Sequence, residues 1–114
     1  MEVHSALGPG LLESVYEKCL LRELEIQGLS ARQQMIVPLE YKGLKLDEYL
    51  RSDIVVEECL IVEVKAVEDV LPIHTAQLLT YMKLLDLPLG LLMNFHSKTL
   101  KQGLSRLILK GADL

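Results

Sequence analysis

The sequence predicts an α/β protein of the mixed-sheet (α+β) kind, with helices flanking a central mixed sheet. Three observations carry that expectation. Apolar residues recur at helical spacing in two segments, one from Leu11 to Leu24 and one from Ile73 to Leu85. Short runs rich in Val, Ile and Leu, bounded by turn residues, lie between and after them and read as strands. The resulting order is helix, three strands, helix, strand (αβββαβ), with an ambiguous tail. Its last strand–helix–strand unit is by default a right-handed parallel crossover, whereas the first strands read as an antiparallel meander. Both pairing types are therefore expected in one sheet. With 114 residues the chain is long enough for one compact domain, 1–114, and too short for two.

Each element has its own justification. Gly8-Pro9-Gly10 is a strong breaker that sets the start of the first helix. Leu11, Leu12, Val15, Cys19, Leu20 and Leu24 supply its apolar spacing, and Gly28 marks its stop. Gln33 to Tyr41 reads as a strand, with Met35, Val37, Leu39 and Tyr41 on one face, and Lys42-Gly43 is a turn. Lys45 to Val56 reads as one long or bent strand, ended by Glu57-Glu58. Cys59 to Val67 is the next strand. Pro72 then opens the helix Ile73–Leu85, whose apolar surface comes from Ala76, Leu79, Tyr81, Met82 and Leu85. Leu87 to Phe95 is an apolar strand, and Thr99 to Leu109 fits a short helix or a strand.

Half of the residues are hydrophobic, with no tryptophan and five aromatics, so the core is expected to be mainly aliphatic. The formal net charge of −4 argues against a general nucleic-acid coat protein. Charge is also polarised along the chain. Ser97 to Lys110 holds four basic residues (Lys98, Lys101, Arg106, Lys110) and no acid, whereas Glu57 to Asp69 holds five acids and one lysine. A metal site beside a phosphate grip would need such polarity, and two solvated segments of opposite sign explain it as well. Cys19 and Cys59 lack metal or redox spacing and read as small buried hydrophobes in a reducing cytosol. Neither a signal peptide nor a membrane span is legible, so a soluble, cytoplasmic protein is expected.

The chemistry concentrates at Glu63-Val64-Lys65, inside the apolar run Cys59–Ala66. Side chains alternate along a strand, so Glu63 and Lys65 share a face. Charges there are costly unless they pair or bind something. Asp53 heads the neighbouring run Ile54-Val55-Val56. It directly opposes Glu63 only if the hairpin loop is odd, Glu57-Glu58-Cys59; a two-residue loop would turn it away. Such a pair, with the Val64 carbonyl as a third oxygen, suits Mg²⁺. A metal held there would acidify a water and neutralise charge on a phosphate, and Lys65 would orient the water or stabilise the transition state. The competing reading is a Glu63–Lys65 ion pair on an exposed edge.

Two helical pairs add to the set. Gln77 and Tyr81 are four residues apart on one helix face, able to touch a water and a phosphate, or to be a helix-end amide and a core phenol. Glu13 and Tyr16 are one turn apart on the first helix, where Glu13 could reach the metal's outer shell or be a favourable first-turn acid. His4, His74 and His96 are too scattered for zinc. His74 could line the site, or face solvent at a helix end. His4 reads as packing or capping, and His96 as loop.

Together these pieces resemble the PD-(D/E)XK nuclease superfamily and, within it, the small GxxExxY family. Val3-His4 and Leu7-Gly8-Pro9-Gly10-Leu11-Leu12-Glu13-Ser14-Val15-Tyr16 are similar to that family's opening signature. Asp53 with Glu63-Val64-Lys65 resembles the superfamily's bipartite active site, and Gln77…Tyr81 its QxxxY element. The order and spacing of all four motifs, over nearly the whole chain, carry the resemblance. It implies a restriction-endonuclease-like αβββαβ core and Mg²⁺ or Mn²⁺ at Asp53 and Glu63. It also implies Lys65 as catalytic lysine, Glu13 as the helix acid and Gln77 as a supporting polar residue. Phosphodiester hydrolysis in DNA or RNA would follow, with Tyr81, Lys98 and Lys101 as candidate substrate contacts.

Ser52 stands where the superfamily motif has proline. The resemblance also implies more helix upstream of Met1, and the acidic, minimal composition leads us to expect a partner or oligomerisation to hold a polyanion. Two function classes follow: an active metal-dependent nuclease, or an idle nuclease-like domain that binds nucleic acid or protein. Dimerisation through exposed leucines near Leu89-Gly90-Leu91-Leu92 is compatible with either.

Overall fold

The computed structural model describes residues 2–109. Its elements are α1 (Glu2–Leu7), α2 (Glu13–Ile26), β1 (Ala31–Gln33), β2 (Ile36–Tyr41), β3 (Leu44–Arg51), β4 (Ile54–Val56), β5 (Leu60–Lys65), α3 (Pro72–Leu85), β6 (Leu89–Asn94) and β7 (Leu104–Ile108). Five strands form one mixed sheet in the order β1-β4-β5-β6-β7, and β2 and β3 form a separate two-stranded hairpin. β5 and β6 are parallel, as a strand–helix–strand crossover requires, and the other pairs are antiparallel. Among the described residues no helix is long and apolar enough to cross a membrane.

The two long strands read from the sequence are each broken. Gln33–Tyr41 divides between β1 and β2, because Gln34 adopts φ +52°. Lys45–Val56 divides between β3 and β4 at Ser52-Asp53. The two breaks face each other: Gln34 N–H donates to the Asp53 carbonyl at 2.7 Å and Ser52 N–H to the Met35 carbonyl at 3.0 Å. The ribbon thus bends without losing its backbone hydrogen bonds, and the hairpin leaves the plane of the main sheet. Lys42 (φ +48°) and Gly43 (φ +85°) form its turn, both left-handed, as a two-residue turn between twisted strands demands. The tail resolves into a strand, β7, and Lys110 lies outside the described residues.

Two clusters cover the two sheet faces. Ile54, Val56, Val62 and Val64 pack with Tyr16 and Phe95 on the α2 side, and Val55, Ile61 and Leu92 pack with Leu78, Tyr81 and Met82 on the α3 side. The core is thus less purely aliphatic than composition suggests. Tyr16 and Phe95 stack at its centre, 4.5 Å between rings. Leu11, Leu12 and Val15 do not join it; they are exposed, and α2 buries Tyr16 and Glu17 instead. Leu78, absent from the expected α3 face, is fully buried. The Leu89–Leu92 segment is an internal strand between β5 and β7, and its four residues are buried or half-buried, so it offers no free dimer surface.

Candidate functional site

The site is built at the end of β5, where β4 stops short. β4 pairs Ile54 with Val62, Val55 with Ile61 and Val56 with Leu60, and goes no further. This register is the one in which Asp53 and Glu63 directly oppose each other. The loop Glu57-Glu58-Cys59 has the odd length it requires, with Glu57 and Glu58 both at positive φ. Alternation then sets Asp53, Glu63 and Lys65 on the α3 face with Val55 and Ile61. β5 is the central strand, and no ion pair joins Glu63 to Lys65 among the described residues. The reading of an edge-strand ion pair is therefore overturned.

Beyond Val62 the β5 edge has lost its neighbour, and carboxylates take over its amides. Val64 N–H donates to Asp53 Oδ2 at 2.8 Å, and Ala66 N–H donates to Glu13 Oε1 at 3.2 Å. A strand residue's N–H and C=O share one edge, so the Val64 carbonyl is aimed toward Asp53 as well. Asp53 N–H reaches Glu63 Oε1 at 3.4 Å. Glu63 is only 5 % exposed.

Electrostatics follow from this crowding. Burial, then the adjacent Asp53 charge, pushes the Glu63 carboxyl from its ordinary 4.5 up to about 8, against the pull of the Asp53 N–H and Lys65. Burial also raises Asp53, with Glu13 adding to the rise; the Val64 N–H, the Lys65 charge and a hydrogen bond with Glu63 oppose it. The pair is short of positive charge, and Lys65 alone does not supply enough. Two packed carboxylates beside a backbone carbonyl are a hard-oxygen donor set, which fits a divalent cation such as Mg²⁺. Among the described residues no three His, Cys, Asp or Glu side chains converge as a metal cluster. A cation held here would draw on the carboxylate pair and the main chain rather than on a third such side chain.

Both helices reach this point. α3 brings Tyr81, whose hydroxyl accepts from Gln77 Nε2 at 3.1 Å. Burial, then the Glu63 and Asp53 charges, raise the Tyr81 hydroxyl pKa, which sets it in the field of the carboxylates. Gln77 is exposed beside it. α2 is fixed by Tyr16, which stacks on Phe95, donates to the Gly8 carbonyl and accepts Leu11 N–H at 3.0 Å. Phe95 N–H in turn donates to the Lys65 carbonyl at 2.8 Å. The Gly8–Tyr16 segment thus positions Glu13 at the β5 edge.

Lys98 and Lys101 are exposed on the β6–β7 connection. Asn94 is in register with Lys65, so that connection leaves the sheet at the same end as the carboxylates. Neither lysine bonds to the acidic group. His74 is a helix-end residue whose Nδ1 accepts Leu71 N–H at 3.0 Å. His4 is a packing residue: it is buried, bonds the Ser97 carbonyl through Nε2 at 2.9 Å and lies against Phe95.

Two residues at this end escaped the sequence reading. Glu17 is buried, accepts from Gln33 Nε2 at 3.2 Å, and is raised by burial and by the Asp53 and Glu13 charges. Its signal was available, since it lies one helical turn after Glu13. Asn94 is buried and clamps Val67 through both ends of its amide, 3.1 and 2.9 Å, which fixes the chain leaving β5. No local pattern marks it.

The central mixed sheet with its flanking helices is a restriction-endonuclease-like arrangement. Neither the curated proteins nor the solved structures contain a match to the chain. The family model of the PD-(D/E)XK nuclease superfamily matches residues 1–107, which spans the hairpin, both site helices and every strand but the last residue of β7. The chain therefore belongs to the PD-(D/E)XK nuclease superfamily.

Proposed function

We propose that this protein is a nuclease of the GxxExxY type, hydrolysing phosphodiester bonds in DNA or RNA with Mg²⁺ or Mn²⁺ held by Asp53 and Glu63. The observation that carries the reading is the desolvated Asp53–Glu63 pair set where β4 stops. Two carboxylates held this close in a protein interior are unfavourable unless a cation or a shared proton compensates them. When bound, the metal would acidify a water and neutralise charge building on the phosphate.

The remaining roles belong to the chain itself. Asp53 and Glu63 would hold the metal, with the Val64 carbonyl as a third oxygen donor. Lys65, on the same strand face as Glu63, positions the attacking water or stabilises the negative charge of the transition state. Gln77 and Tyr81 hold a polar wall on the α3 side, and Tyr81 serves as a donor to substrate. Glu13, which accepts the Ala66 N–H, would order water around a bound metal. Lys98 and Lys101 supply positive charge at the same sheet end for the nucleic-acid backbone.

The test is titration calorimetry of Mg²⁺ and Mn²⁺ into wild type and Asp53→Ala, followed by cleavage assays on mixed DNA and RNA substrates. Binding and metal-dependent cleavage that both vanish in Asp53→Ala support the reading. Absence of binding at millimolar metal overturns it in favour of an idle, nuclease-like binding module.

A further inference from the structure

β5 runs out at Lys65, and its parallel neighbour stops beside it: β6 ends at Asn94, the residue in register with Lys65. Residues paired in this way lie side by side on one sheet face, so Asn94 shares a face with Lys65 and Glu63. Beyond this pair the ladder stops, and side chains take over. Successive residues of a strand offer their N–H and C=O to opposite edges. On the β4 edge Val64 N–H donates to Asp53 and Ala66 N–H to Glu13. On the β6 edge the Lys65 carbonyl accepts Phe95 N–H at 2.8 Å. Val67 follows on that edge, and the Asn94 amide holds both of its main-chain groups. Val67 N–H donates to Oδ1 at 3.1 Å, and the Val67 carbonyl accepts from Nδ2 at 2.9 Å.

Asn94 is 3 % exposed, and its Oδ1 also accepts His96 N–H at 3.2 Å. All three bonds go to main chain; none goes to the lysine beside it. Lys65 has no ion-pair partner among the described residues. A lysine is a compact charge on a flexible four-carbon stem, so the backbone it rises from decides where its ammonium can reach. We infer that Asn94 is a positioning residue for Lys65: by closing the β6 edge of the chain at Val67, it holds the last residue of β5 in the place from which Lys65 serves the reaction. The role rests on the nuclease reading above, yet it is separable from the metal. Asp53 and Glu63 are held upstream of Lys65 and from the other edge, by the β4 register and the Val64 N–H. Loss of the Asn94 amide therefore frees Ala66 and Val67, and Lys65 with them, while the carboxylate pair stays in place. A misplacement of about 1 Å can cost on the order of a hundredfold in rate.

The test is Asn94→Ala, made in wild type and in a Lys65→Ala background. It is read by Mg²⁺ calorimetry, by single-turnover cleavage at saturating nucleic acid and by amide hydrogen exchange. Asn94→Ala should bind Mg²⁺ as wild type does and cleave about a hundredfold more slowly. Its Ala66 and Val67 amides should exchange faster, with the Val64 amide still protected. In the Lys65→Ala background the same substitution should slow the residual cleavage by less than about twofold, because residues that act through one group are not additive. Where Asn94→Ala does not fold, Asn94→Asp decides in the same way, since it keeps the Oδ1 acceptor and loses the donor to the Val67 carbonyl. A folded variant that cleaves at the wild-type rate overturns the proposal and leaves the nuclease reading standing. So does a loss that recurs in full in the Lys65→Ala background, or one accompanied by loss of Mg²⁺ binding. A wild type without metal-dependent cleavage overturns both.

Discussion

Asp53 and Val64 are joined by a 2.8 Å hydrogen bond in which a carboxylate takes the place that a neighbouring strand would fill. The bond runs from the main chain of the central strand to the side chain that heads the short strand beside it. It fixes Asp53 Oδ2 before any ligand arrives, while the Asp53 N–H reaches Glu63 Oε1.

Asp53→Asn should therefore fold and lose function. The amide oxygen can still accept the Val64 N–H, so the melting temperature should change little. Metal-dependent stabilisation of phosphate charge is worth several kcal/mol, so cleavage should fall by about a thousandfold or more at 1.36 kcal/mol per tenfold. Single-turnover cleavage and calorimetry on the same samples check both halves. A variant with undiminished metal binding would remove Asp53 from the site.

The metal-free protein should lose stability as pH rises. The Glu63 carboxyl is pushed from 4.5 to about 8 in the fold. Between those limits the folded state holds a proton that the unfolded chain releases, so unfolding becomes easier with each step upward. The destabilisation is absent below pH 4.5, grows through the window and is complete above about pH 8. One pKa unit is about 1.4 kcal/mol, so the full effect is a few kcal/mol. Urea denaturation in chelator across this range should show the slope. Glu63→Gln should flatten it and be the more stable protein at the alkaline end, while losing cleavage.

Tyr16→Phe should cost stability more than chemistry. The hydroxyl donates to the Gly8 carbonyl and accepts Leu11 N–H in a fully buried position. Removing it strands both groups, a loss of about 1–3 kcal/mol. The ring stack on Phe95 survives, so Glu13 should stay near Ala66 and cleavage should fall only modestly. Chemical denaturation and cleavage rate, measured side by side, separate the two effects.

Gly103→Ala should damage the β6–β7 connection. An added Cβ would collide with the Asn94 backbone oxygen and come within 2.7 Å of Ser97 Oγ. The Asn94 oxygen is main chain and cannot swing away, so a cost of about 1–3 kcal/mol is expected. Gly90→Ala is the useful contrast, since its Cβ would meet Met82 Sδ at 2.6 Å, a flexible side chain that can yield. Melting temperatures of the two variants should rank Gly103→Ala below Gly90→Ala.

Much of this was legible in the sequence, and the reasons are specific. Alternation assigned Glu63 and Lys65 to one face; Asp53 joined them only if the hairpin loop was odd, a choice the sequence left open and the β4–β5 pairing shows. Helical spacing put Gln77 beside Tyr81. The breaks at Gln34 and Ser52-Asp53 were not legible, because the apolar alternation runs straight through both and only tertiary pairing bends the ribbon there. Glu17 was passed over because acids in helices are usually solvated, although its place one helical turn after Glu13 set it on the same helix face. Leu89–Leu92 looked sticky because an apolar strand in the middle of a sheet and one on a surface have the same composition; β7, read as ambiguous, is what covers it.

The Glu57–Cys59 loop has a consequence that its chemistry does not suggest. Its side chains are exposed and their bonds, Ser30 N–H to Glu57 and Arg32 to Glu58, lie at the surface, so replacements there should cost little beyond the strain that positive φ puts on bulky residues. Its count is another matter. Deleting or adding one residue would rotate β4 by half a turn relative to β5, sending Ile54 and Val56 to the opposite side and Asp53 with them. The protein would keep every residue of the candidate site and lose its arrangement. For this chain the damaging genetic lesion near the site is an in-frame single-codon indel in a segment where substitutions are mild.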